Sequence, residues 1–309
     1  MRKSFDDLLT QVSEKNKKIQ FERAYSLANL TTYGVGGDAA LFARIETEDE
    51  LLAIASSIGK HSLPLLMIGN GSNMLVSDQG FDGLVIQLGS SFSEIKISGN
   101  TVLAGGSAKL PVVARKSVAA GLRGFEWAVG VPGLIGGGVR MNAGGHGFEM
   151  ADSIVGVKVL DFNIGKILTL DAKDLQFSYR ESSILSSQLV LKVKISLIEG
   201  NQVDAENFLL EIVKWRRENQ PGGQNSGSVF TNPEGDSAGR LIEASGLKGM
   251  RVGSASISEK HANFIQVDSG GSAEDVINVM RTVQKVVNQE NGIKLEPETI
   301  LVGFDSGLS

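Results

Sequence analysis

Cysteine is absent from the 309 residues, and with it go disulfide frameworks, thiolate metal sites and thiol redox chemistry. Histidine is scarce. His61, His146 and His261 lie far apart, so a histidine-rich metal centre is not expected. No apolar run approaches the ~20 residues that a helix needs to cross a bilayer; the longest beside a candidate strand is Leu63 to Ile68. Arg2 and Lys3 are followed by Asp6 and Asp7, which interrupt any apolar signal region. A soluble cytoplasmic protein is the expectation. Excess positive charge is missing too: 30 Lys and Arg against 35 Asp and Glu give a net charge of −5. That balance argues against a protein devoted to coating nucleic acid or an anionic membrane.

Glycine is what the chain has in excess, with 38 residues, about 12% against a usual ~7%. Between Gly121 and Gly147 it takes ten of 27 positions, interleaved with Phe125, Trp127, Val131, Leu134, Ile135, Val139 and Met141. A flexible linker of that density would carry polar filler. Apolar anchors instead imply a folded loop whose backbone approaches something closely.

Periodicity predicts an amphipathic N-terminal helix with Phe5, Leu8, Leu9 and Val12 on one face. A helix opens at a Thr47/Glu50 capping pair, and another runs from Leu110 to Ala120 with Gly121 at its end. Strands are predicted at 63–68, 74–76, 83–88, 101–103, 155–160 and 189–195. A composition shift near residue 200 precedes a helix capped by Asp204, a helix around Ala238–Ala244, a strand at Phe264–Val267 and a long helix from the Ser272/Asp275 pair. The expected organisation is a helical extension at 1–20, a domain at 21–200 and a smaller α+β domain at 201–309.

Several segments are candidates for chemistry. Gly69-Asn70-Gly71-Ser72-Asn73 follows a strand and suits an anion nest, or else is an ordinary turn. It lacks the third glycine and the following helix of a Rossmann loop. Gly130-Val131-Pro132-Gly133 and Gly136-Gly137-Gly138 could present helix N–H groups to phosphate, or pack tightly on a sheet. Asn142, in Met141-Asn142-Ala143-Gly144, could offer a donor and an acceptor to a heterocycle edge. Arg180 reads alone as a surface ion pair with Glu181. Ser228 lacks the nucleophile elbow and a histidine partner of a hydrolase. Glu298 reads alone as an exposed charge.

In series these segments are more specific. Together with Thr31-Thr32, Gly36-Gly37, Gly227-Ser228-Val229-Phe230-Thr231-Asn232-Pro233, Gly246-Leu247-Lys248-Gly249, Lys260-His261-Ala262-Asn263-Phe264 and Leu295-Glu296-Pro297-Glu298, the chain closely resembles the UDP-N-acetylenolpyruvoylglucosamine reductase (MurB) family from about residue 25 to 303. The resemblance implies an FAD-binding domain of the vanillyl-alcohol-oxidase (PCMH-type) class, followed by a smaller α+β substrate-binding domain. It implies NADPH as hydride donor, bound FAD, and reduction of UDP-GlcNAc-enolpyruvate to UDP-N-acetylmuramate in peptidoglycan precursor synthesis, with no nucleic-acid or membrane partner and a monomer assumed. By similarity FAD would be held by Gly69, Asn70, Gly71, Ser72, Asn73, Gly130, Pro132, Gly133, Gly136, Gly137, Asn142 and Gly144. Ser228 would protonate C2, Arg180 would pair with the carboxylate, and Glu298, if kept protonated, would polarise it. Asn232 and His261 match substrate-contacting positions. The short stretch between Glu181 and Leu189 resembles the type II form. Thr231, Asn219 and Ile300 depart from residues common elsewhere in the family, which bears on phosphate and carboxylate binding. A flavin oxidase of the same fold and a non-catalytic nucleotide sensor are the rival readings.

Overall fold

The computed structural model describes residues 2–58 and 63–304; His61 lies outside the described residues. The chain divides into two compact units. The first gathers Met1–Arg23, Leu41–Gly69 and Gly83–Trp215, the second Ala24–Ala40, Asn70–Asp82 and Arg216–Ser309. Each unit is assembled from separated stretches of the chain. The physical reason is strand pairing: Met74–Val76 runs parallel to Ile300–Val302, with Met74 opposite Ile300, so an early segment is bound to the C-terminal one by a ladder.

The first unit is built on a five-stranded antiparallel sheet in the order Lys166–Asp171, Ile154–Asp161, Gln188–Ser196, Thr101–Gly105, Ile95–Ser98. Alternation in Gln188–Ser196 sends Val193 and Ile195 inward and Lys192 and Lys194 outward, as a half-buried strand requires. The inward face meets Val113, Val118, Phe125, Trp127, Ile135 and Val139 in one apolar core. Those residues come from the helix Leu110–Ala119 and from the glycine-rich stretch after it. A four-stranded sheet in the order Phe21–Ser26, Asp38–Ile45, Phe81–Leu88, Leu65–Met67 ends in a parallel pair, Leu65 opposite Leu84.

The helix Arg2–Lys15 buries Phe5, Leu8 and Val12, the stripe the sequence predicts, and its Lys15 Nζ donates to Ser57 Oγ at 3.0 Å. The helix Glu48–Ile58 has the expected capping box: Glu50 N–H donates to Thr47 Oγ1 at 3.2 Å, and Glu50 Oε2 accepts from Thr47 N–H at 3.3 Å. One cap differs. Asn201 Oδ1, not Asp204, accepts the N–H groups of Val203 and Asp204 at the start of the helix Gln202–Asn219, because the asparagine stands just outside the first turn.

The second unit sets the helices Ala238–Ala244 and Ala273–Asn291 with a three-stranded antiparallel sheet of Arg251–Val252, Ala255–Ile257 and Ile265–Val267. Its core joins Val276, Ile277, Met280 and Val283 from the long helix to Val229, Phe230, Leu75 and Tyr33. Ser272 caps that helix by accepting from Asp275 N–H. The Ser272 N–H goes to Ser254 Oγ and not to Asp275, whose carboxylate takes the N–H and hydroxyl of Ser254.

Candidate functional site

Ser228 and Glu298 come within one hydrogen-bonded framework. Gly227, just before the serine, has φ of +81°, a backbone geometry that glycine adopts without penalty, and its N–H donates to Asn225 Oδ1 at 3.0 Å. After the serine, Val229 C=O accepts from Glu298 N–H at 2.8 Å and Thr299 N–H at 3.3 Å. Phe230 then faces Pro297 in an antiparallel bridge, and Thr231 N–H donates to Glu296 C=O at 2.9 Å. Two segments 70 residues apart thus run side by side, each carrying one candidate group. Among the described residues, the half-buried Ser228 hydroxyl is committed to no protein partner.

Asn263 is the residue that sequence reasoning passed over. It is buried, with 3% of its surface exposed, and both ends of its amide hold Phe230. Its Oδ1 accepts Phe230 N–H at 3.0 Å, and its Nδ2 donates to Phe230 C=O at 2.8 Å. Its own C=O accepts Val229 N–H at 2.9 Å. An asparagine in the run Lys260-His261-Ala262-Asn263-Phe264 gives no sign of this, because an amide that braces a strand and one that holds a ligand are spelled alike. Asp78 is a second case: its carboxylate accepts the N–H groups of Ala273 and Glu274 at 2.9 and 3.0 Å, satisfying donors at the positive end of the long helix.

In the first unit Arg180 occupies a tight turn. Ser178 and Glu181 exchange both main-chain hydrogen bonds, at 3.1 and 3.2 Å, and Arg180 itself has φ of +60°. A non-glycine residue held there costs free energy, so the turn must be fixed from outside. Asn142 and Ser182 do this. Asn142 Nδ2 donates to Ser178 C=O at 2.8 Å, and Ser182 Oγ donates to Arg140 C=O at 2.8 Å. The guanidinium carbon lies 5.3 Å from the Tyr179 ring centroid, within reach of a cation–π attraction.

Asn142 is therefore placed differently from its expected role. It is wholly buried, with Oδ1 accepting Ala151 N–H at 3.0 Å as well as the bond to Ser178. A side chain without exposed surface offers no edge to a heterocycle; it ties the glycine-rich segment to the turn that carries Arg180.

The glycine loops divide into packed and open positions. Gly71, with φ of +53°, would place a Cβ 2.3 Å from Leu30 C=O, and its own C=O accepts Thr32 N–H. A Cβ at Gly69 would meet Leu134 at 3.1 Å. The six-residue helix Ile135–Arg140 spends the N–H groups of Ile135 and Gly136 on Ala108 and Gly106 carbonyls, so those donors are not left for phosphate, contrary to the sequence expectation. Gly136 packs instead, its Cβ position 3.0 Å from Gly106 C=O. Gly137 is exposed and meets nothing within 4 Å, while Asn70 and Pro132 are also exposed. Gly130, Gly133 and Gly144 are half-buried. Exposed main chain beside positions that exclude side chains suits a close-lying dinucleotide, and FAD fits these loops on that ground.

Asn232 is exposed and uses only its Oδ1, which accepts Ala238 N–H at 3.0 Å; its amide hydrogens remain for a ligand. His261 Nδ1 accepts Asn263 N–H at 3.2 Å, and its ring meets Phe264 edge-on at 4.8 Å. Burial holds the imidazole below its ordinary pKa, which favours the neutral ring with its hydrogen on Nε2. Among the described residues no group of acids and histidines could hold a metal, and no helix is long and apolar enough to cross a membrane.

Comparison with known proteins bears on both units. Residues 39–171 match a family model described as an FAD binding domain. Residues 219–302 match one described as the C-terminal domain of UDP-N-acetylenolpyruvoylglucosamine reductase. A curated protein of that name from Caldanaerobacter subterraneus subsp. tengcongensis is 38% identical over 88% of this chain and 90% of its own length. A crystal structure of the reductase of that name (MurB) from Thermus caldophilus superposes with a TM-score of 0.81, at 36% identity, over 92% of this chain and 99% of the other. Berberine bridge enzyme from Eschscholzia californica, at 17% identity and a TM-score of 0.50 over 71% of this chain and 50% of its own, shares the fold alone.

Proposed function

The chain belongs to the UDP-N-acetylenolpyruvoylglucosamine reductase family, and on that premise we propose that Arg180, Ser228 and Glu298 are its catalytic groups. The activity is reduction of the enolpyruvyl ether of UDP-GlcNAc to the lactyl ether of UDP-N-acetylmuramate. FAD, when bound, would supply the two-electron chemistry that links NADPH to the enolpyruvyl group. The remaining work falls to side chains.

Hydride at C3 leaves an electron pair at C2 that is shared with the adjoining carboxylate. Arg180 meets this charge with a planar fork of donors that a lysine cannot copy. Glu298, when protonated, donates a hydrogen bond to the same carboxylate. Ser228 delivers its hydroxyl proton to C2, which a serine can do only toward a strongly basic carbon. The residues that would hold the cofactor are Gly69 to Asn73 and Gly130, Pro132, Gly133, Gly137 and Gly144, with Gly136 and Asn142 supporting the glycine-rich segment. Asn232, through its spare amide hydrogens, and His261, through Nε2–H, hold the sugar nucleotide. The product supplies peptidoglycan synthesis, hence wall growth, cell shape and division, and the reaction takes place in the cytoplasm.

The observation that supports this assignment most is the pairing of the Ser228 and Glu298 segments through Val229. A serine with an uncommitted hydroxyl on a strand paired to the main chain of a glutamate is an arrangement that binding alone does not require. The test is stoichiometry. NADPH should be consumed one for one with enolpyruvyl-UDP-GlcNAc, giving a product two mass units heavier. NADPH consumption that follows oxygen and ignores the sugar nucleotide would instead mark an oxidase.

A further inference from the structure

We propose that Asn73 is a positioning residue for Glu298: its side-chain amide, at the end of the cofactor loop, fixes the main chain of the glutamate 225 residues later. The proposal rests on the functional reading above and assigns a role that reading does not contain.

Asn73 Nδ2 donates to Glu298 C=O at 3.0 Å. The asparagine's own C=O accepts Ile300 N–H at 3.0 Å. From there the two segments run as a parallel ladder, Met74–Val76 against Ile300–Val302, closed at the far end by Ser77 N–H to Val302 C=O at 2.8 Å. In a parallel ladder the rung before Ile300 would join the main-chain N–H of residue 73 to the C=O of residue 298. The side-chain amide supplies that rung. The ladder is thereby extended by one bond, up to the peptide of the catalytic glutamate.

The other side of Glu298 is held as well, since its N–H donates to Val229 C=O at 2.8 Å. With both its N–H and its C=O bonded, the glutamate cannot shift without breaking one of them. The Ser228 segment supplies one hold and the cofactor loop supplies the other. Removing the Asn73 donor takes away the bond to Glu298 C=O and leaves the ladder from Ile300 onward, so the main chain of the glutamate loosens at that one point while the serine strand stays where Asn263 keeps it. A displacement of about 1 Å at a reacting group costs on the order of 10²-fold in rate.

The experiment compares Asn73→Ala and Asn73→Asp with the unaltered holoenzyme. The aspartate has the shape of asparagine but, when ionised, no hydrogen to donate to a carbonyl. Three quantities are read: the FAD dissociation constant of the apoprotein by flavin fluorescence, the anaerobic rate of flavin bleaching by NADPH, and the rate of recolouring by enolpyruvyl-UDP-GlcNAc. In both variants recolouring should slow by on the order of 10²-fold beyond any change in FAD affinity or in the rate of bleaching. Loss of FAD affinity in step with activity would overturn the proposal, making Asn73 a cofactor contact. So would an Asn73→Asp enzyme that recolours like the parent, because shape and not the donor would then matter. If Asn73→Ala fails to fold, Asn73→Asp alone decides. An unaltered holoenzyme inert toward the sugar nucleotide would instead refute the functional reading, a result distinct from both.

Discussion

Val229 C=O accepts the main-chain N–H of Glu298 at 2.8 Å, so the residue after the candidate proton donor and the candidate carboxyl share one hydrogen bond. The bond makes the Ser228 and Glu298 segments a single structural piece. What holds that piece determines how well the two groups stay aligned.

Asn263 is the principal brace. Asn263→Ala would leave the buried N–H and C=O of Phe230 without partners, a loss of roughly 2–6 kcal/mol in unfolding free energy at about 1–3 kcal/mol per group. Denaturant unfolding should show a lower midpoint with an unchanged slope. A variant as stable as the parent would mean that water or a neighbouring group replaces the amide.

Arg180→Lys should fold as the parent does, because the turn is fixed by Asn142 and Ser182 and not by the guanidinium. The step that consumes the enolpyruvyl substrate should slow by on the order of 10²-fold, the scale of one missing donor at a developing anion. Equal rates for the two enzymes would show that position 180 needs only a positive charge.

The glycine loops separate packing from binding. Gly71→Ala forces a Cβ to 2.3 Å from Leu30 C=O at a φ of +53°, so it should lower both thermal stability and FAD content. Gly137→Ala meets nothing within 4 Å and removes a helix glycine, which should raise stability by about 0.5–1 kcal/mol. Its FAD affinity should nevertheless fall, by on the order of 10-fold, if the exposed main chain lies along the cofactor. Unchanged affinity in Gly137→Ala would place the cofactor elsewhere.

Tyr33 gives a pH signature. The side chain is fully buried, and burial pushes its phenol up to about 12, against a smaller lowering by Ser226. A raised pKa in the folded state means the neutral phenol contributes stability in full below the unfolded value of about 10, and that contribution disappears as pH climbs through the folded value. Tyr33→Phe should therefore show a shallower loss of stability between pH 10 and 12, read from urea midpoints. An identical alkaline limb would assign the loss to other groups.

Much of this was legible in the sequence where chemistry and periodicity coincide. The Phe5, Leu8 and Val12 stripe, the Thr47/Glu50 box and the alternation around Val193 follow from local pattern, and the fold class follows from motifs in register. Three features were not legible. The union of Met74–Val76 with Ile300–Val302 is a pairing of segments more than two hundred residues apart, which no local pattern encodes. The amides of Asn142 and Asn263 brace main chain at Ala151, Ser178 and Phe230, partners that no local pattern encodes. The N–H groups at the start of Ile135–Arg140 looked available because the carbonyls of Gly106 and Ala108 that consume them are distant in sequence.

The central claim is that Ser228 acts on the substrate after hydride has arrived. Anaerobic stopped-flow of Ser228→Ala separates the two halves of the reaction by the flavin colour. Bleaching by NADPH should proceed at the parent's rate, and recolouring by enolpyruvyl-UDP-GlcNAc should slow by on the order of 10³-fold or more, the scale of lost acid catalysis. Equal slowing of both halves would contradict the account and leave Ser228 a structural residue.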